Sequence, residues 1–283
     1  MVNKVLSLRI LNFVTGLAAI IVNIITTLVP LNGSRLSDMD NNVNKIMPAG
    51  TAFSIWAVIY IFKLLFMSYQ LFPRTYDLKY INYGITPYFS LLALLNITWL
   101  LTQAYLKDEL YIVQLIVIYV MFVVLLVMYS MTFKYIKNDL ILSTESNNNF
   151  YLNYWLGRVW LSIYFAWITG AICVDSFSVF SDLPTTTYIS STITLCLLAI
   201  LTIVIVFINR DVAFSLTFIW TSAWIIVNHK NVEEGYPLFI TACVVIAVVS
   251  IVTVVAFILN LKFVFNRRKI SETEIEKLNN EIS

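Results

Sequence analysis

The sequence predicts an all-α polytopic membrane protein with about eight transmembrane helices. Three observations predict it. Of 283 residues, 60% are hydrophobic and only 12% are charged, whereas soluble domains run about 45–50% and about 25%. Mean hydropathy is +0.84, and a globule of this size has too little interior to hide that much apolar surface from water. The apolar residues also fall into eight runs, and the basic residues are sorted by side. Soluble enzyme folds, disulfide scaffolds and disordered chains are excluded together. Three cysteines show no pairing pattern. A net charge of +2 with no long basic tract excludes nucleic acid as a partner.

The runs cover roughly 10–29, 52–72, 85–105, 111–133, 155–174, 188–208, 212–228 and 238–259. A helix rising 1.5 Å per residue crosses the hydrocarbon in about 20 residues, and lipid offers stray backbone groups no partners. The first run is too long for a signal peptide. It carries Asn12 and Asn23, and no small-residue cleavage site follows it. The polar stretch 31–50 is expected to be partly structured, and the Asn/Ser-rich stretch 138–154 flexible. The seventh run is the shortest. It is joined to the sixth by little more than Asn209-Arg210-Asp211, which predicts a tight antiparallel hairpin. In the polar tail, Ser271 stands three before Glu274 in a capping-box pattern. Ile275, Leu278 and Ile282 share one face of a short helix expected to lie on the membrane surface or to fray.

Charge placement supports an even number of crossings. With the N-terminus inside, the inner segments hold 13 Lys and Arg, the outer loops hold 4 (Arg35, Lys45, Lys107 and Lys230), and Lys63 lies within a span. This bias puts both termini on the cytoplasmic side. A seven-span chain would move the basic RRK segment at 267–269 outside. Frequent Asn and Ile suit an AT-rich genome, so a bacterial plasma membrane is the expected location.

Few residues inside the spans can do chemistry. Lys63 sits near the middle of the second span, where a charge costs several kcal/mol unless it is paired, neutral or snorkelling. It is expected to face the bundle interior, either as a contact for an anionic ligand or moving ion, or as a structural lysine reaching a carbonyl or water. Asp175 is expected at the wet outer end of the fifth span. Trp56 and Tyr60 are four apart, Asn96 and Trp99 three apart, and Tyr164, Trp167, Ala171 and Asp175 follow at three, four and four, so each set shares a helix face. Trp220 and Trp224 repeat the spacing of four. Turned inward, such rings suit a large planar ligand; turned outward, they form an interface belt, a place expected of Trp155 and Trp160. Asn96 needs hydrogen-bond partners in hydrocarbon, either a neighbouring helix or a ligand edge. Pro48 and Gly50 precede the second span and form either a pocket lip or a plain turn. The only histidine, His229, is read as a loop residue, and no His/Cys/carboxylate group has metal-ligand spacing. No catalytic residue, metal or cofactor is expected, and the chain is not read as an enzyme.

These residues carry a resemblance. The lead-in PAGTAFSIWAVIY supplies Pro48, Gly50, Phe53, Trp56 and Tyr60, the third span supplies Asn96 and Trp99 in LLALLNITW, and the fifth supplies Tyr164, Trp167 and Ala171 in IYFAWITGAICVD. In that order they resemble the TspO/MBR family, the tryptophan-rich sensory proteins and translocator proteins. The chain departs from the family at Ala49, Thr51, Ile163 and Asp175, where the family has Pro, Trp, Pro and Asn. The resemblance covers about residues 5–175. It implies a five-helix bundle (1–175), to which 176–265 would add a three-helix extension and 266–283 a polar cytoplasmic tail. It also implies dimers, and binding of porphyrins, haem intermediates or sterol-like ligands in a pocket beside the loop between helices one and two. Trp56, Tyr60, Asn96, Trp99, Tyr164, Trp167, Ala171 and Asp175 would surround that pocket, and Thr51 would stand at its mouth. The expected function is a membrane receptor, sensor or carrier for a flat hydrophobic ligand. The alternatives are a small-solute or ion transporter using Lys63, and a structural or assembly protein without a ligand.

Overall fold

The eight apolar runs become eight helices in the computed structural model, which describes residues 2–29, 44–105, 111–142, 154–180 and 187–282. They are α1 (Val2–Leu28), α2 (Ile55–Tyr69), α3 (Thr86–Tyr105), α4 (Tyr111–Leu142), α5 (Trp160–Val179), α6 (Tyr188–Asn209), α7 (Val212–His229) and α8 (Tyr236–Ile282). No strand occurs among the described residues, and each helix, α2 together with the 3-10 turn Gly50–Ser54 before it, gives a stretch long and apolar enough to cross a bilayer. Most of the polar stretch 31–50, most of 138–154, and Arg35, Lys107, Asn153 and Pro184 lie outside the described residues.

Burial here runs opposite to that of a soluble protein. Large apolar side chains such as Ile61, Val123, Ile189, Phe207 and Ile251 are exposed, while Arg9, Lys63, Asn96 and Asp211 are fully buried. Lipid receives the first group, and the bundle interior must satisfy the second.

Two cores organise the helices. One is shared by α1 to α5 and reaches Phe214 of α7; the other joins α6, α7 and α8 to Ile46. Helix α5 is the hub, packed on α2, α4 and α7. At one end of the bundle a turn of π-helix precedes α3 (Tyr80–Ile85) and another precedes α5 (Tyr154–Val159). They meet where Gly157 leaves room for the Tyr80 ring: a Cβ there would stand 2.5 Å from that ring. At Gly84 a Cβ would meet the Thr132 backbone of α4 at 3.2 Å.

Arg9 ties α1 to the end of α2. Its guanidinium donates to the Gln70 carbonyl, to Thr75 Oγ1 (2.6 Å), to the Thr75 carbonyl (3.0 Å) and to Asn82 Oδ1 (2.7 Å), and it lies 4.9 Å from the Tyr76 ring centre. A cation is well placed at the carbonyl end of α2, where the helix dipole is negative. Asn12 joins α1 to α3 by donating to the Thr86 carbonyl (3.3 Å) and accepting from Ser90 Oγ (2.7 Å).

The short link between α6 and α7 makes the predicted hairpin. Arg210 closes α6 in the left-handed region (φ 51°, ψ 39°), and Asp211 caps α7 by accepting from the Phe214 amide at 3.1 Å. The seventh span is a full helix, and His229 ends it instead of lying in a loop. Its Nδ1 lies 2.9 Å from the Ile225 carbonyl one turn back, and its ring meets Tyr188 edge-on. Trp160 is also corrected: it is fully buried against Phe66 and Phe89, while Trp155 stays exposed. The tail does not start a separate helix at Ser271. Its backbone continues α8, which runs 47 residues in all, about 70 Å at 1.5 Å per residue, because neither Gly nor Pro interrupts it after Pro237. The tail's side chains, including the capping-box pair, lie outside the described residues.

Candidate functional site

Three helix faces converge inside the first core. On and just before α2, Phe53, Trp56, Tyr60 and Lys63 follow at three, four and three, a spacing that keeps them on one face. Asn96 and Trp99 face them from α3, and Tyr164, Trp167 and Asp175 from α5. Trp56 is the centre. Its ring stacks on Tyr60 (centroids 5.4 Å apart, planes 22°) and meets Tyr164 edge-on at 5.5 Å. Trp99 and Trp167 each lie 6.4 Å from it. Phe53 meets Trp167 edge-on at 5.5 Å. Each such aromatic pair contributes about 0.5–1.5 kcal/mol beyond simple burial.

Two hydrogen bonds fix the polar edges. Tyr60 OH donates to Asn96 Oδ1 at 3.0 Å, and Trp99 Nε1 donates to Asp175 Oδ2 at 3.0 Å. Asp175 is therefore buried within the bundle and not wet at a helix end. Four buried donor atoms in this cluster have no hydrogen-bond partner among the described residues: Trp56 Nε1, Lys63 Nζ, Asn96 Nδ2 and Tyr164 OH. Lys63 lies in a cage of rings instead, 5.0 Å from the centre of Phe89, 5.7 Å from Tyr164 and 6.0 Å from Tyr60.

Beside Trp56 a cavity of about 20 Å³ remains, room for about one water molecule. Of the predicted residues, Pro48, Phe53, Trp56, Trp99, Trp167, Ala171 and Asp175 line it. Tyr60, Lys63, Asn96 and Tyr164 lie outside the lining, joined to it through Trp56. Gly50 opens the short 3-10 turn Gly50–Ser54 above it and is not part of the lining. Thr51, in the same turn, is exposed.

Sequence reasoning did not anticipate what holds the lead-in to α2. The lead-in to α2 is held by α7: the Ala49 amide donates to the Trp224 carbonyl (3.0 Å), Trp220 Nε1 to the Ala52 carbonyl (3.0 Å), and Asn228 Nδ2 to the Met47 carbonyl (2.9 Å). Asn44 Nδ2 adds a bond to the Val174 carbonyl of α5 at 2.7 Å. Thr221 of α7 lines the cavity as well. A second cavity of about 30 Å³ lies between α5, α6 and α7 and shares Gly170, Val174 and Thr221 with the first. The spacing of Trp220 and Trp224 was visible in the sequence, but their partners, the Ala52 carbonyl for Trp220 Nε1 (168 residues away) and the Ala49 amide for the Trp224 carbonyl, were not.

Among the described residues, no three His, Cys, Asp or Glu side chains gather as a metal site. Residues 9–271 match the family model described as TSPO-like protein. No curated protein and no solved structure matches the chain.

Proposed function

The chain belongs to the TSPO-like (TspO/MBR) family, and from that premise we propose that it is an intramembrane receptor or carrier for a flat hydrophobic ligand of the porphyrin or sterol type. In this reading residues 1–175 form the binding bundle, 176–265 an extension and 266–283 a tail. Both termini are cytoplasmic in a bacterial plasma membrane, as the 13-to-4 split of basic residues favours. The observation that carries the reading is Trp56. It touches four other rings from three helices while its own N–H and three neighbouring donors have no partner among the described residues. Stacked rings with spare donors suit a planar apolar body with a polar edge.

Room for about one water does not hold such a ligand, so binding requires the mouth to open. Protoporphyrin titrated into the protein in nanodiscs is expected to shift its Soret band saturably. Asn96→Ala removes an amide and strands Tyr60 OH, which weakens binding by about tenfold, or about 1.4 kcal/mol. A titration without a saturable phase, in protein that melts normally, overturns the reading.

The bonds from α7 predict the kinetics. The double variant Trp220→Phe, Asn228→Ala removes two hydrogen bonds worth about 1 kcal/mol each. It is expected to melt lower and to take up porphyrin faster in stopped flow, because the α2 lead-in is freed. Unchanged association would mean the ligand enters elsewhere.

A further inference from the structure

Resting on the receptor reading above, we infer that the ligand is an acid, whose anionic group is received by Lys63 Nζ, Asn96 Nδ2, Tyr164 OH and Trp56 Nε1. The hydrogen-bond inventory of the cluster is one-sided. The Asn96 carbonyl oxygen is taken by Tyr60, and Asp175 Oδ2 by Trp99. The buried atoms left without a partner among the described residues are four that can donate, Tyr164 OH being able to accept as well; Lys63 and Asn96 are 0% exposed, and the Asp175 carboxylate lies in the cavity lining. An ammonium brings three donors and no acceptor, an indole N–H a single donor. A carboxylate is their complement: acceptor-only, with about four lone-pair sites. A sterol hydroxyl satisfies two of them at most.

The charge points the same way. The one ion pair among the described residues joins Arg158 to Asp211, not Lys63 to an acid. Three ring faces within 6.0 Å of Lys63 Nζ return about 0.5–2 kcal/mol by cation–π attraction. That is less than the several kcal/mol an unpaired charge loses inside a membrane protein. A ligand anion supplies the missing counter-charge. Trp56 stands between the cavity and Lys63: its ring walls the cavity, stacks on Tyr60 and meets Tyr164 edge-on, and both of those rings lie beside Lys63 Nζ.

A pair of probes tests this: protoporphyrin IX, with two free carboxylates, against its dimethyl ester. Both are titrated into protein in zwitterionic nanodiscs, so that the lipid adds no charge. The same comparison is run with a flat steroid acid and its methyl ester. The acid is expected to bind at least about tenfold tighter than its ester in the parent protein, and the ratio falls to near one in Lys63→Met. Lys63→Met and Lys63→Gln should melt at or above the parent temperature, since each removes an uncompensated buried charge. Equal affinity for acid and ester in the parent overturns the inference and leaves the receptor reading standing. A ratio that survives Lys63→Met overturns the assignment of Lys63. A lowered melting point in both variants makes Lys63 structural and also overturns it. No binding of any probe overturns the receptor reading itself, and the acid inference falls with it.

Discussion

Replacing Asp211 by alanine should destabilise the protein by about 3–5 kcal/mol, the loss expected when one member of a buried ion pair is removed. The carboxylate is 0% exposed. Its Oδ2 accepts from Tyr129 OH (2.7 Å), Ser162 Oγ (2.7 Å) and Arg158 Nη2 (3.4 Å), and its Oδ1 caps α7 through the Phe214 amide. Tyr129 OH in turn accepts from Asn209 Nδ2 at 3.1 Å. One carboxylate thus binds α4, the start of α5 and the α6–α7 hairpin. Alanine removes all of the carboxylate's bonds at once and takes the counter-charge from Arg158, which is 8% exposed and keeps its bond to the Asn209 carbonyl (3.3 Å). Asparagine keeps an acceptor oxygen for the cap but loses the charge, so Asp211→Asn should fall between parent and alanine. Melting in a mild detergent, read by near-ultraviolet circular dichroism, checks the order. The loss should concentrate where α6 and α7 dock on α4 and α5, so protease cleavage of the C-terminal helices should accelerate with it. An alanine variant that melts with the parent would show that the cluster adds no stability.

The parts legible in the sequence were those set by the solvent. Length and apolar content alone fix a spanning helix, so all eight runs were found and even the short run at 212–228 emerged as Val212–His229. Helical spacing also grouped each set of site residues on one face, because that periodicity belongs to a single helix. Which face meets which neighbour is a property of packing between helices. Trp160 has the composition of an interface residue, yet Phe66 and Phe89 bury it. His229 reads as loop because polar residues follow it, but a bond to the Ile225 carbonyl keeps it in the last turn. Arg9 and Arg158 counted only as positive charges on one side of the membrane. Their partners, the carbonyls and hydroxyl after α2 and the carboxylate of Asp211, lie 61 to 73 and 53 residues away. No local pattern announces contacts of that range. The bonds from α7 to the lead-in of α2 were out of reach for the same reason.

Trp56 gives the second large effect, and its two variants separate packing from recognition. Trp56→Ala deletes a side chain that is 4% exposed and touches four rings. Large aromatic-to-alanine changes in a core cost about 3–5 kcal/mol. It should also weaken porphyrin binding by about a hundredfold or more, the scale of an anchor residue losing at least about 2.7 kcal/mol. On its own that result is ambiguous, since a collapsed or loosened chamber would also bind poorly. Trp56→Phe resolves it: phenylalanine retains a ring to stack on Tyr60 and loses the indole N–H. If Trp56 serves only the core, the phenylalanine variant recovers most of the stability and most of the affinity together. If its N–H contacts the ligand, stability recovers while affinity stays about tenfold down, the value of one buried hydrogen bond. The Soret band of the porphyrin is the readout for both variants, because it does not depend on the tryptophan being removed. Stability and affinity restored in step would leave the unpaired indole N–H as a feature of packing, and the chamber would then recognise its ligand by shape and by its other donors.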